Sequence, residues 1–432
     1  MVDSRRINSN RLFIIVVIIS VLLRVASALY FGDRVIVLPG TADQVSYHTL
    51  ARRVLEGHGF TFGYTWWPLT APNAPTAHWS FLYTFYLVAV YALFGPHPLA
   101  ARLIQAVIVG VFHPYFTYRI GSRVFGQPAG LIAAGITAIY VYFFYYSATL
   151  MTEPFYITAI LWTLDTALRI DEATPGQVGR WLELGLAMGV TALLRQLFLL
   201  IVPFVFLWLW WRNRYWRGER GDVRRLGREM LSGTLLALGV VCALIAPFTI
   251  YNYIRFDSFV LLNTNSGYAF FWANHPIYGT HFEPILPPEM GSYRALIPSE
   301  LRGLDEAALG RALLGRGIQF VLDDPVRYFF LSLSRVPIYF QFWPSPTSSA
   351  VSNVSRVGSF GLFLPFMVYG LIDALRHHYS RSMILLVLFI IVYTMIHLLS
   401  WTLIRYRLPV DAVAVVFAAL PLARLGKRWG DF

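Results

Sequence analysis

Long apolar runs recur along this chain: Leu12–Tyr30, Leu99–Tyr118, Gly130–Tyr146, Phe155–Ile170, Leu231–Tyr251, Phe360–Leu375, Met383–Trp401 and Val410–Leu422. A helix of about 20 apolar residues crosses a bilayer, and several of these runs approach that length. Barrel strands would alternate in short segments instead. With 57% hydrophobic and 13% charged residues and a mean hydropathy of +0.56, a soluble domain is excluded. The expectation is an all-α polytopic membrane protein with about ten to twelve transmembrane helices.

The net charge of +12 lies in short segments between apolar runs, and Lys427 is the only lysine. Arg212, Arg214, Arg217, Arg220, Arg224, Arg225 and Arg228 form the densest basic cluster and read as a cytoplasmic loop, not as a nucleic-acid patch. Cys242 stands alone, so neither a disulfide framework nor a zinc-ligand cluster is expected. The 13 Trp and 25 Tyr suit interfacial belts, and equally a site that handles a sugar or a lipid.

Arg5, Arg6 and Arg11 put the start of the first run inside. Ala26-Ser27-Ala28 has the form of a signal cleavage site, but the run is long and Arg24 interrupts it late, so it reads as a retained helix. Residues 33–78 then form a first outer loop whose Thr41–His48 turn carries Asp43. Tyr47 lies four residues on, on the same helical face, with Leu50, Ala51, Val54 and Leu55 continuing a surface helix. Gly57, Gly59 and Gly63 break it, and Trp66-Trp67-Pro68 turns the chain back. Asp43 also reads as a simple N-cap of a helix Gln44–Glu56.

Arg119 and Arg123 belong inside, so Trp79–Phe94 fits a re-entrant or juxtamembrane helix and not a full span. Gly130–Tyr146 brings Thr149–Pro154, with Glu153, to the outer face. Trp181–Trp211 would be about 46 Å as one helix, with Arg195-Gln196 at its middle. An arginine at mid-membrane is costly, so a pair of short helices turning at Arg195 on the outer side is expected. Residues 252–325 form a second outer loop with a helix Leu304–Leu322 capped by Asp305. Val326–Phe342 reads as interfacial, and Arg405-Tyr406-Arg407-Leu408-Pro409 as the outer rim before the last span. One domain, 1–432, is expected: a helical module 1–251, the second outer loop, and C-terminal helices 326–432.

The order of these motifs resembles a known superfamily. A first-loop acid is followed by TLMTEP (149–154), LLRQ (193–196), APFTIYNYIRFDSFVLLNTNSGYAFFWANHP (246–276) and RYRLP (405–409). Each is weak alone; together they resemble bacterial membrane glycosyltransferases of the GT-C fold, in the branch of protein O-mannosyltransferases and 4-amino-arabinose-to-lipid-A transferases. The resemblance implies inverting transfer of a sugar from a polyprenyl-phosphate donor to a lipid, glycan or protein acceptor, at the outer face of a bacterial plasma membrane. Asp43 matches the first-loop acid, the general base, and Glu153 the acid of the next outer loop. A phosphate leaving group needs a base and a cationic cradle more than a general acid. Arg195, Arg405 and Arg407 would supply the cradle, because guanidinium matches phosphate oxygens bidentately. Tyr47, His78, Asn252, Tyr253 and Asn274 complete the candidate substrate contacts.

Two departures matter. Gln44 follows Asp43, so the paired-carboxylate metal motif of some relatives is missing; no cofactor is expected to be obligatory, though a divalent cation remains possible. Ala77-His78-Trp79 stands where relatives often carry Pro-Pro or Lys-Pro-Pro, which leaves the sugar contacts unassigned.

Each candidate has a plainer reading. His78 is structural, Glu153 a first-turn helix acid, Arg195 a snorkelling side chain, Arg405 and Arg407 positive-inside charges, and Asn263, Asn265 and Asn274 turn residues. The rival functions are a transporter or flippase of an anionic lipid, and a non-catalytic subunit of a glycan-assembly complex.

Overall fold

The computed structural model describes residues 2–37, 41–171, 177–217, 223–346 and 348–430. Arg220, expected at the inner face, lies outside them. Among the described residues the chain is helical, with two isolated β-bridges, Thr61 to Pro75 and Trp66 to Thr70.

Helix α1 (Val2–Phe31) leads through a linker to α2 (Asp43–Leu55), and a loop leads on to α3 (Phe81–Phe94). Next come α4 (Pro98–Phe125), α5 (Gln127–Ile139), α6 (Val141–Ser147), α7 (Glu153–Asp171), α8 (Val178–Leu194), α9 (Val202–Arg217) and α10 (Val223–Phe256). The second long loop contains α11 (Asn265–Ala273) and α12 (Glu306–Asp323). After it follow α13 (Pro325–Tyr339), α14 (Ala350–Arg356), α15 (Leu362–His377), α16 (Arg381–Leu398) and α17 (Leu408–Gly430).

Six stretches among the described residues are long and apolar enough to cross a membrane: Ser9–Phe31, Pro98–Phe125, Gly227–Phe256, Ala350–His377, Arg381–Leu398 and Ile404–Leu425. The bent pair α5 and α6 makes a seventh candidate. This is a multi-pass membrane protein. Shorter or more charged helices fall outside this measure of length and composition. Helix α7 carries Glu153, Asp165, Arg169 and Asp171, while α8 and α9 are 17 and 16 residues long.

Helix α1 packs on α4 and α5, α8 on α10, and α15 on α17. Gly110 permits the first contact, since a Cβ there would lie 2.9 Å from the Val21 backbone. Arg24, buried inside α1, is kept in the apolar layer by hydrogen bonds to Ser20 Oγ (2.6 Å) and the Thr137 carbonyl (3.4 Å).

The run 130–146 is two helices, not one. They bend by 56° at Tyr140, whose hydroxyl donates to the buried carboxylate of Asp411 at 2.8 Å. No Gly or Pro marks this kink in the sequence; a long-range tertiary hydrogen bond accompanies it. The 181–211 run does break at Arg195, whose extended backbone (φ −150°, ψ 114°) separates α8 from a 3₁₀ turn, Gln196–Leu200. The Asp305 carboxylate caps α12, accepting from the Ala308 amide at 2.8 Å.

The long loops are stitched to each other and to that break. Glu306, at the first turn of α12, accepts from the Thr70 and Thr264 hydroxyls (both 2.7 Å) and the Ala77 amide (2.8 Å). The Asn263 side chain donates to the Ala77 and Trp79 carbonyls, and Gln196 grips the Asn263 backbone through both its amide and its carbonyl.

Candidate active site

Four charged side chains from four segments meet at the ends of α2, α7, α8 and α17. Asp43 opens α2, Glu153 opens α7, Arg195 fills the break after α8, and Arg405 lies in the 3₁₀ turn Ile404–Arg407 before α17. Arg405 Nη1 is 2.8 Å from Asp43 Oδ2 and 3.6 Å from Glu153 Oε1. Arg195 Nη2 is 2.5 Å from the same Glu153 oxygen, and its Nε donates to the Thr152 hydroxyl at 2.9 Å. The result is an alternating row of Asp43, Arg405, Glu153 and Arg195.

Burial grades the row. Glu153 is 2% exposed, Arg405 10%, Arg195 21% and Asp43 27%, so the row is sealed at Glu153 and open at Asp43. Glu153 thus sits as a strut between two cations, and Asp43 is its most accessible acid. Burial works against the charge of Arg195, yet neighbouring Glu153 outweighs it and holds the guanidinium protonated. Asp43 is not an N-cap: the cap position of α2 is Ala42, without a side-chain cap bond.

Tyr47 lies beneath Asp43, buried edge-on against Trp79 and Tyr83, with Ser80 N donating to its hydroxyl at 3.4 Å. Burial first, then the Asp43 charge, raise that phenol and keep it protonated. The other predicted contacts are placed elsewhere. His78 is buried against Trp79 and Tyr268, and burial lowers it to about 3, which leaves a neutral packing residue. Asn252 staples the loop after α10 by donating to the Val260 and Leu262 carbonyls. Asn274, in the second long loop, accepts from Arg335 of α13 at 2.8 Å, and Tyr253 is exposed on α10. Arg407 is fully buried; it pairs with Asp411 (2.9 Å), donates to the Tyr339 carbonyl (2.7 Å) and lies over the Phe360 ring. Side-chain direction separates Arg407 from Arg405, because residues two apart in a helical turn point to different sides.

The part of the chain at residues 78–221 matches the family model described as dolichyl-phosphate-mannose-protein mannosyltransferase. No curated protein matches the sequence. Among solved structures, the Archaeoglobus fulgidus oligosaccharyltransferase in the apo form aligns with a TM-score of 0.61 at 16% identity, over 97% of this chain and 51% of its own. ArnT from Cupriavidus metallidurans bound to undecaprenyl phosphate aligns with a TM-score of 0.55 at 16% identity, over 97% of this chain and 61% of its own. The chain has the GT-C fold. This GT-C chain spans about half the length of the archaeal structures it matches.

Sequence reasoning missed the frame around this charged row. Arg102 on α4 donates to the Arg34 and Ala148 carbonyls and to Gln44 Oε1 (2.9, 2.8 and 3.1 Å), and the same Gln44 oxygen accepts from Leu150 N at 3.1 Å. Gln105, one turn on, donates to the Ser147 and Thr149 carbonyls, both at 2.8 Å. The turn before Glu153 and the start of α2 beside Asp43 therefore hang from one face of α4. The available signal was an Arg and a Gln at i, i+3 in an otherwise apolar run.

Among the described residues no group of three or more His, Cys, Asp or Glu side chains is placed to hold a metal ion. The cation between Asp43 and Glu153 is the Arg405 guanidinium, so a divalent ion shared by these two acids does not fit this arrangement.

Proposed function

We propose that this chain transfers a sugar from a polyprenyl-phosphate donor to an acceptor hydroxyl at the outer face of the membrane, with inversion. The observation that carries the reading is the row Asp43, Arg405, Glu153, Arg195, which sets an accessible carboxylate beside two guanidinia at helix ends. The match to ArnT, solved with undecaprenyl phosphate, and the matching family model, described by dolichyl-phosphate-mannose, support a lipid-phosphate donor.

In this reading Arg405 and Arg195 bind the donor's phosphate, the latter from a fork already fixed by Thr152 and Glu153. Asp43 takes the proton of the acceptor hydroxyl as its oxygen bonds to the anomeric carbon. The bond from that carbon to the phosphate oxygen breaks, and the electron pair leaves with the phosphate, whose added charge the guanidinia stabilise. Glu153 holds the two arginines at a fixed separation and touches no substrate atom. No divalent ion is needed for these steps.

The test is sugar transfer by membranes containing the full chain, assayed with a panel of polyprenyl-phosphate sugars. Loss of transfer in Asp43→Asn together with retained undecaprenyl phosphate binding supports the reading. Turnover undiminished in Asp43→Asn would overturn it.

A further inference from the structure

Two cations this close to one another require something besides a single carboxylate to fix their directions. Arg195 and Arg405 share Glu153, and they share a second neighbour that the sequence did not single out. The Arg405 guanidinium carbon lies 5.2 Å from the centre of the Tyr406 ring, and that of Arg195 lies 5.6 Å from the same centre. Both distances are within cation–π range. The ring is itself supported. His397 stacks on it at 4.9 Å with an interplanar angle of 23°, and Tyr339 stacks on His397 at 6.2 Å and 24°. His397 is anchored in turn by its Nδ1, 3.1 Å from the Trp401 carbonyl. A column of Tyr339, His397 and Tyr406 thus runs from α13 through α16 to the turn that carries Arg405.

We propose that Tyr406, braced by His397, is a positioning residue that holds Arg195 and Arg405 as one phosphate-binding pair. This rests on the donor reading given above. The physical need is clear. Arginine side chains lose much rotamer entropy when ordered, and two like charges separate unless held. A shared aromatic ring attracts both guanidinia without placing another anion where a phosphate must enter, which is how it differs from Glu153.

The experiment uses the purified full chain and two probes, undecaprenyl phosphate and uncharged undecaprenol. Tyr406→Leu removes the ring and is expected to weaken undecaprenyl phosphate binding about tenfold, the sum of two contacts of ordinary strength. Its affinity for undecaprenol should be unchanged, because only the phosphate needs the paired arginines. Tyr406→Phe keeps the ring and should bind both probes within about twofold of the parent. His397→Leu, which leaves Tyr406 in place without its brace, should lose about threefold for the phosphate alone, and it carries the test if Tyr406→Leu does not fold. Arg405→Gln is the control for the underlying reading. If it loses phosphate affinity while Tyr406→Leu and His397→Leu keep theirs, the ring column has no positioning role. If Arg405→Gln itself binds normally, the phosphate site is wrong. An equal loss for both probes in Tyr406→Leu would mean a general packing defect and would also overturn the proposal.

Discussion

Arg405 and Asp43 form an ion pair, Nη1 to Oδ2 at 2.8 Å, so the proposed base and a proposed phosphate ligand occupy each other. A donor phosphate competes for that guanidinium and should release the carboxylate. Binding would then be ordered, donor first, with the base uncovered only when there is something to transfer. Modification of Asp43 by a water-soluble carbodiimide, mapped by mass spectrometry, should speed up several-fold when undecaprenyl phosphate is added. Protection of Asp43 by the same lipid would contradict the exchange.

Arg195→Lys keeps the charge and discards the fork. The parent uses Nε on Thr152 and Nη2 on Glu153, two directions that one ammonium cannot reproduce. Undecaprenyl phosphate affinity should drop about tenfold while thermal stability moves little. A Lys variant that binds like the parent would remove bidentate recognition from Arg195.

The break at Arg195 was readable because a charge in an overlong apolar run leaves few alternatives, and the Asp305 cap because capping is local chemistry. Arg405 and Arg407 were not separable by sequence. They are two residues apart in one turn, and only the fold turns one toward Asp43 and the other toward Asp411. The kink at Tyr140 goes with a hydrogen bond made 271 positions away, which no local pattern encodes. His78 packs against Tyr268, Asn252 bonds the loop backbone and Asn274 accepts from Arg335, contacts that no local pattern encodes, because a polar residue in an aromatic loop can serve the fold as readily as a substrate.

The buried placement of Arg407 has a measurable consequence. Arg407→Gln leaves Asp411 inside the protein with Tyr140 as its remaining donor, and removing one partner of a buried pair costs about 3–5 kcal/mol. Thermal stability in detergent should fall sharply, whereas Arg405→Gln should lose phosphate binding with far less effect on stability. Equal melting temperatures for the two variants would put Arg407 outside the core network.

Acid should destabilise the loops. Burial lowers His78 to about 3; burial, then Arg52 and Arg102, lower His48 to about 4; burial, then Arg327, lower His275 to about 4. Each therefore takes a proton in the unfolded chain, near its ordinary 6.5, before it does so in the fold. Their contribution is fully present above about 6.5 and is lost as the pH falls toward 4 and then 3. For fully buried His78 the slope is about 1.4 kcal/mol per pH unit. Melting curves at pH 7, 5.5 and 4.5 should show the decline, and His78→Gln should flatten part of it. An unchanged melting temperature across that range would refute neutral burial of these rings.

Asp43→Asn separates catalysis from architecture more cleanly than any other single change. The side chain is 27% exposed, its neighbour Gln44 carries the bonds to Arg102 and Leu150, and the cap position of α2 is Ala42. Among the described residues its carboxylate is ion-paired with Arg405. The amide keeps the shape and loses the ability to accept a proton, so sugar transfer should fall by about 10²-fold or more. Undecaprenyl phosphate affinity should be retained or improved, because the phosphate no longer competes with an anion for Arg405. A chelator should leave transfer by the parent chain unaffected, since a guanidinium already stands between Asp43 and Glu153. If chelation abolishes transfer, Arg405 must move aside for a metal that both acids share. If instead the Asn variant turns over normally, the proton goes elsewhere and Glu153, despite its burial, becomes the acid to test next.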